Sequence, residues 1–138
     1  MPGPSAHLTW DDLRCRDKMR TPYPLDYRAD PSRLPLLAAA FEAVRAIYGL
    51  PLRVLSAYRT PAYNRQIGGA VKSQHIEGRA LDLAPPGDVL VREFFDAVVR
   101  IATEQPALGI RYVQGYPARG FVHVDVRPTA KLLTRWDV

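Results

Sequence analysis

The sequence predicts a compact α+β domain with a small, mostly antiparallel sheet flanked by helices. Two observations carry this prediction. Apolar residues recur at helical spacing in two long segments, and two short segments of alternating polarity stand next to each other near the C-terminus. Two adjacent strands joined by a turn form an antiparallel hairpin. With 138 residues the chain has the length of one domain, and we expect a single domain over 1–138 in which residues 1–8 are loose.

Two long helices are predicted from apolar stripes. The first stripe is followed by Gly49, which fits the left-handed position after a helix end, and its members are Leu37, Phe41, Val44 and Tyr48. The second helix is predicted over 88–102, where apolar residues again fall on one face. Residues 19–33 contain three prolines and are predicted to form a loop.

Two shorter helices are predicted from their first residues. Thr9 is followed three residues later by Asp12, close to the spacing of a capping box. Thr60 and Pro61 match an N-cap followed by a proline in the first turn. Strands are predicted over 51–58, 79–84, 109–113 and 121–126, the last two around a Tyr-Pro-Ala-Arg-Gly turn.

Composition excludes several classes of protein. The single cysteine, Cys15, allows neither an internal disulfide nor a cysteine-rich zinc module. No apolar segment is long enough to cross a membrane. The net charge is +5 and the pI is near 9.7, but the arginines are spread along the chain rather than grouped on one element. We therefore expect no nucleic-acid partner and no membrane insertion, and the positive charge suits an anionic cell wall.

The N-terminus has no basic segment followed by an apolar one, so no secretory signal is visible. We expect synthesis in the cytoplasm, followed by release or delivery to the cell wall or periplasm. A phage-encoded enzyme fits that route, and we expect it to be a monomer.

Asp82 lies in the middle of a predicted strand among apolar residues. Burial of a carboxylate is costly unless it is paired or binds a metal. Ala80 and Ala84 share its face and are small, which leaves room there. His75 precedes it by seven residues, and Gly78 between them lets the chain fold back, so that one histidine and one aspartate can meet on a cation.

A second polar pair lies on the last predicted strand. Alternation places Phe121, His123 and Asp125 on one face, while the valines between them face the core. Two histidines and one carboxylate form a common protein ligand set for catalytic zinc, with the fourth position left to water. The sequence therefore predicts one Zn²⁺ site that draws on both segments.

The same residues resemble a known family. Ser73, His75, Gly78, Ala80 and Asp82 match the S-x-H-x-x-G-x-A-x-D motif of the M15-type zinc peptidases, the D-Ala-D-Ala carboxypeptidases and murein peptidases that share a fold with Hedgehog signalling domains. The segments 56–64, 68–70 and 121–127 are also similar to that family. The resemblance extends over about residues 8–136 and implies a Hedgehog/DD-peptidase-like fold.

The resemblance implies roles for individual residues. His75, Asp82 and His123 would be the metal ligands. Arg59 would point at the carbonyl or carboxylate of the substrate, although a structural arginine is the alternative. Ser73 and Gln74 would orient the first ligand or bind the peptide, or only cap the turn.

One departure from the family is Gly120. Many relatives carry Glu or Asp three residues before the last zinc histidine, as the general base. Asp125 is the nearest substitute here, either as that base or as a residue that orients the His123 ring. Tyr116 and Arg119, in the turn before Phe121, either line the cleft, where Tyr116 would bind substrate, or only form the hairpin.

The sequence thus predicts a zinc peptidase that hydrolyses peptidoglycan stem peptides, as a D-Ala-D-Ala carboxypeptidase or a murein endopeptidase. Gly120 supports an alternative, a catalytically inactive zinc-containing module that binds the cell wall or forms part of a phage structure.

Overall fold

The computed structural model describes residues 3–137. Within them, the helices are α1 (Trp10–Leu13), α2 (Leu25–Arg28), α3 (Leu34–Ala46), α4 (Pro61–Gln66) and α5 (Val91–Glu104), and a 3₁₀ turn spans Pro106–Leu108. The strands are β1 (Arg53–Ser56), β2 (Ala80–Ala84), β3 (Tyr112–Tyr116), β4 (Phe121–Asp125) and β5 (Leu133–Trp136). The α+β class is confirmed.

The strands form one sheet in the order β1-β2-β4-β3-β5. Neighbouring strands are antiparallel except β3 and β5, which are parallel. β2 and β4 lie in the middle of the sheet and every one of their residues is buried. One face of the sheet contributes its apolar side chains to the same core as α3 and α5, and the other face carries the polar residues of the two central strands.

The long helices confirm the apolar stripes, with shifted ends. After α3, Gly49 has φ of +66° and donates its N–H to the carbonyl of Arg45, as expected of a glycine that follows a helix. α5 begins at Val91 rather than at 88, because a turn precedes it. In that turn the Val89 N–H donates to the Pro86 carbonyl.

Both short helices begin where their caps predict. Thr9 and Asp12 form the reciprocal capping box of α1. Thr60 Oγ1 accepts the N–H of Tyr63 at the start of α4, and Pro61 is its first residue. These contacts satisfy amide groups that the first turn of a helix leaves without a partner.

Two elements were not predicted. α2 lies within 19–33, the segment expected to be a loop, and four residues are too few for an apolar period. β5 is an exposed edge strand without alternation, and it pairs with β3 across a long connection. β3 also begins at Tyr112 rather than at 109, because Gly109 is left-handed at the end of the 3₁₀ turn.

The N-terminal segment expected to be loose contacts the body of the protein where the structure describes it; residues 1 and 2 lie outside the described part. Leu8 is buried in the core. Ser5 Oγ and the His7 N–H donate to Glu42 Oε2 at 2.7 and 2.8 Å, and His7 Nδ1 lies 2.7 Å from Glu42 Oε1. Glu42 on α3 therefore anchors the segment.

None of the helices described over residues 3–137 is long and apolar enough to span a bilayer.

Glu42 should make stability depend on pH. Burial raises the pKa of its carboxyl group, but the hydrogen bonds from His7 and Ser5 outweigh burial and hold the pKa below its usual value. A depressed pKa in the folded state means that the carboxylate stabilises the fold above its unfolded pKa of about 4.3 and loses that contribution as the pH falls through the folded value. We expect Glu42→Gln to lower the free energy of unfolding by about 1 kcal/mol at pH 7, and the difference from the parent to shrink below pH 4.

Urea unfolding of both proteins between pH 3 and 7 measures this difference. Glu104→Gln is the matched control, since Glu104 is exposed at the end of α5, and it should change stability by less than about 0.5 kcal/mol. A Glu42→Gln effect that is the same at pH 3 and pH 7 would contradict the assignment.

Candidate metal centre

The central strands bring Asp82 and His123 side by side. In the antiparallel pairing of β2 with β4, these two residues are direct partners across the strands. Their side chains share the polar face of the sheet, while Val122 and Val124 lie in the core on the other face, as the alternation predicts. Gln114 on β3 is the partner of His123 on its other side.

His75 reaches the same point from the loop between α4 and β2. The His75 carbonyl accepts the N–H groups of Arg59 and Gly78, which folds the loop back toward β1. Gly78 is required there because its φ is +69° and a Cβ would lie 2.7 Å from Tyr23 Oη. Tyr23 in turn donates its hydroxyl to the Gly78 carbonyl at 2.7 Å and anchors the loop to the core.

Three ligand atoms converge on the polar face. Asp82 Oδ1 lies 3.2 Å from His75 Nε2 and 3.0 Å from His123 Nδ1. All three atoms lie within 4.8 Å of one another. Two atoms that bind the same tetrahedral zinc at about 2.0–2.1 Å are about 3.3 Å apart. The spacing therefore fits a single metal ion.

The other nitrogen of each imidazole has a fixed partner. His75 Nδ1 lies 2.7 Å from the Ala57 carbonyl, which can only accept, so this nitrogen carries the proton. His123 Nε2 lies 2.7 Å from Asp125 Oδ2 and donates to that carboxylate. Both rings therefore turn their remaining nitrogen toward Asp82 Oδ1. Electron-rich atoms that face one another at this distance need a cation between them, either a proton or a metal.

The pKa shifts of the three residues also indicate that a proton or a metal ion lies between these atoms. Burial lowers the pKa of His75, which favours the neutral ring that a metal requires. Burial also lowers the pKa of His123, but its bonds to Asp125 and Asp82 raise it to about 9. Without a metal this ring is therefore protonated at neutral pH, and a metal ion would have to displace that proton. Burial raises the pKa of Asp82, yet the two imidazoles hold it well below its usual value, so this carboxylate is ionised.

Asp125 lies behind His123 and is completely buried. Its carboxylate also accepts a bidentate pair of bonds from Arg127, with Nε to Oδ1 at 2.8 Å and Nη2 to Oδ2 at 2.7 Å. The Arg127 guanidinium stacks over the Tyr112 ring at 4.2 Å, and that ring meets His123 edge-on at 5.7 Å. Arg127 continues the alternation of His123 and Asp125, and this pattern could have identified Arg127 as a residue of the site. No sequence signal pointed to Tyr112.

A cavity of about 440 Å³ opens over the three ligand atoms. Four cationic residues line it, namely Arg59, Lys72, Arg119 and Arg127. Among the described residues that line it, Asp82 is the only carboxylate. Ser73, Gln74 and Tyr116 also lie in the wall, and Ser73 Oγ accepts the His75 N–H at 3.2 Å.

Arg59 forms one wall of the cavity and is held at three points. Nε donates to Ser56 Oγ at 3.2 Å, Nη1 to Asn64 Oδ1 at 3.2 Å and Nη2 to Asp82 Oδ2 at 3.4 Å. Asn64 is itself buried and donates to the Ala70 carbonyl. Since a guanidinium has five N–H groups, two remain available on the Nη atoms.

Gly120 closes the hairpin between β3 and β4. Its φ is +81° and its N–H donates to the Tyr116 carbonyl at 2.9 Å. The left-handed backbone explains the glycine, because other residues are strained there. No carboxylate therefore stands at this position of the turn.

A buried His–Asp–His cluster at the floor of an open cavity, on an α+β fold, defines a candidate metal-dependent enzyme. The family model described as Peptidase M15 matches residues 6–125, which include all three candidate ligands. The chain belongs to this peptidase family. Arg127 and β5 lie beyond the matched residues. None of the curated proteins compared with the chain matches it significantly.

Proposed function

We propose that this protein is a zinc-dependent peptidase that hydrolyses peptidoglycan stem peptides, either at a terminal D-Ala-D-Ala bond or at an internal bond. The convergence of His75 Nε2, Asp82 Oδ1 and His123 Nδ1 under an open cavity carries the proposal. The net charge of +5 supports a substrate embedded in an anionic wall, and we propose that the protein acts there.

The three ligand atoms would hold one zinc ion, because two neutral imidazoles and a carboxylate suit this metal. A bound zinc ion lowers the pKa of water and polarises a carbonyl oxygen. The protein supplies the rest of the site. Ala57 and Asp125 keep both rings in the tautomer that exposes the ligand nitrogen, and the cavity admits the peptide.

Arg59 is proposed to hold the carbonyl oxygen of the scissile bond. Its two unused N–H groups belong to a side chain that is only 14% exposed and is held by Ser56, Asn64 and Asp82. A donor fixed in advance stabilises the negative charge that develops on this oxygen without reorganising during the reaction.

Asp125 is proposed to be a positioning residue. Of the two roles that the sequence leaves open, the contacts favour the one in which the carboxylate orients His123, because both its oxygens are bonded to His123 and Arg127. It is also absent from the described lining of the cavity.

A second candidate function is a zinc-containing module that binds the cell wall without cleaving it. The observation in its favour is that the described cavity wall holds no carboxylate apart from the metal ligand Asp82, and Gly120 supplies none.

Zinc dependence of cleavage tests the proposal directly. Protein as isolated, after chelation and after zinc is restored is incubated with defined stem peptides, and the products are weighed by mass spectrometry. We expect cleavage at one bond, which chelation abolishes and zinc restores. The exposed Asp88→Asn variant should cleave like the parent, whereas His75→Ala should bind zinc weakly and cleave nothing.

Bound zinc without cleavage of any stem peptide would overturn the peptidase and favour the wall-binding module. Failure to bind zinc at all would overturn both candidates.

Asp125→Asn separates the two roles of Asp125. If the carboxylate orients His123, the variant should bind zinc about 10–100-fold more weakly, and kcat should return to within a few fold of the parent at saturating zinc. If it is the general base, kcat at saturating zinc should stay lower by about 10²–10⁴-fold. Zinc titration and steady-state kinetics give both values, and circular dichroism reports whether the variant folds.

Arg59→Lys tests the carbonyl-binding role. Lysine keeps the charge but lacks the planar fork that makes several bonds at once. We expect kcat to fall at least about ten-fold, with zinc affinity and the melting temperature close to those of the parent. An unchanged kcat would refute the role.

A further inference from the structure

We propose that Tyr23, Tyr27 and Arg33 form a clamp that holds the loop of His75 in its metal-binding position when no metal ion is bound. The three clamp residues belong to the segment 23–33, which contains α2 and lies outside the candidate ligand set. They are therefore positioning residues, which act on the metal through His75. This inference rests on the metal site of the proposed function and explains how that site is kept ready.

The backbone of the His75 loop, residues 73–79, forms only part of the hydrogen bonds that it needs. The carbonyls of residues 73–75 accept backbone N–H groups. Among the residues described over 3–137, the carbonyls of Ile76, Glu77 and Gly78 accept no backbone N–H. A carbonyl without a donor inside a protein is costly. The second half of the loop therefore depends on side-chain donors from elsewhere in the chain.

Tyr23 and Arg33 supply two of these donors. Tyr23 Oη donates to the Gly78 carbonyl at 2.7 Å, and this bond is buried. Arg33 Nη1 donates to the Glu77 carbonyl and lies 3.3 Å from the Glu77 carboxylate. The two donors precede their acceptors by 55 and 44 residues. The loop is thus tied to a distant part of the chain.

Tyr27 supplies the third donor and joins the clamp together. Its hydroxyl lies 3.4 Å from the Ile76 carbonyl, the longest of the three bonds. Its ring meets Tyr23 edge-on with centroids 5.8 Å apart, and Arg33 Cζ lies 4.1 Å from its centroid. Both arrangements are favourable. A Cβ on Gly78 would lie 2.6 Å from Tyr27 Cδ2, so the loop packs directly against this ring.

Further contacts keep the clamp itself in place. Arg33 Nε donates to Asp30 Oδ2 at 3.0 Å. Asp30 Oδ1 accepts the N–H and the hydroxyl of Ser32 at 2.9 and 2.8 Å. Arg79, at the end of the loop, donates to the Ser32 carbonyl and hydroxyl at 3.3 Å each. The segment and the loop therefore hold each other through contacts in both directions.

His75 is the ligand for which such support matters most. Asp82 and His123 lie on the central strands, whereas His75 lies on a loop whose preceding residues, 70–72, are exposed. A metal ion binds with full affinity only to molecules in which all three ligands are in place. Opening of the loop lowers the apparent affinity in proportion to the fraction that stays closed. The clamp keeps that fraction high.

The test compares zinc affinity with stability in two clamp variants and two matched controls. Tyr23→Phe removes one hydroxyl and keeps the ring, and Arg33→Met keeps the apolar part of the side chain without its donors. Tyr48→Phe removes a hydroxyl from a ring that packs against Phe94, outside the clamp. Arg111→Met removes a guanidinium that also donates to three backbone carbonyls, all outside the loop.

Three measurements are made on each protein. Competition with a chromogenic chelator gives the zinc affinity, at a temperature where circular dichroism shows the variants to be fully folded. Hydrogen–deuterium exchange of residues 73–79 in the metal-free protein, followed by mass spectrometry, reports how often the loop opens. The melting temperature without metal reports the stability of the whole fold. None of the three requires cleavage of a peptide.

We expect both clamp variants to bind zinc about ten-fold or more weakly than the parent and to exchange residues 73–79 faster. Arg33→Lys, which keeps one donor group, should recover part of the zinc affinity. Tyr48→Phe should match the parent throughout. Arg111→Met should melt at a lower temperature but bind zinc like the parent. If Arg33→Met does not fold, Tyr23→Phe and Arg33→Lys decide the question.

Clamp variants that bind zinc like the parent would overturn the proposal, whatever their melting temperature, because the contacts would then be purely structural. Unchanged exchange of residues 73–79 would overturn it too, as would an Arg111→Met variant that loses as much zinc affinity as Arg33→Met. A parent that binds no zinc would overturn the clamp together with the metal site. If the parent binds zinc without cleaving any peptide and the clamp variants bind it more weakly, the peptidase function fails and the clamp stands.

Discussion

The pairing of the buried Asp82 carboxylate is the constraint on which the site depends. Asp82 lies in the middle of the central strand β2, where an unpaired charge would cost several kcal/mol. Three separate parts of the chain meet it: His75 from the loop after α4, His123 from β4 and Arg59 from the segment after β1. The carboxylate thus ties the loop and the two strands together, and the same contacts create a set of ligand atoms.

A second layer of contacts holds the ligands in place. The Ala57 carbonyl orients His75, and Asp125 orients His123. Arg127 donates hydrogen bonds to Asp125 and lies over the Tyr112 ring. Tyr112 also packs against His123. Each imidazole is therefore fixed in position and tautomer by groups that lie outside the candidate ligand set. Such partners lower the cost of assembling a metal site and raise the basicity of its histidines.

The hairpin between β3 and β4 combines two requirements. Its turn needs a residue with positive φ, and Gly120, three residues before His123, meets that need. The same turn places Arg119 over Phe121 and Tyr116 at the cavity rim. The turn thus supplies no carboxylate to the cavity, whose described lining includes four cationic side chains and the single carboxylate of Asp82.

The amino-acid sequence by itself determined the α+β class, the stripes of α3 and α5, the caps at Thr9 and Thr60, and the three candidate ligands, because each depends on local periodicity or on a compact motif. Only the tertiary structure decided which groups surround those ligands. Asp125, Arg127 and Tyr112 form one assembly across β3 and β4, and Asn64 holds Arg59 from α4. Strand register and side-chain packing create such contacts between residues distant in sequence. The sequence did not predict β5 either, because an exposed edge strand has no alternating pattern of its own and forms through its pairing with β3.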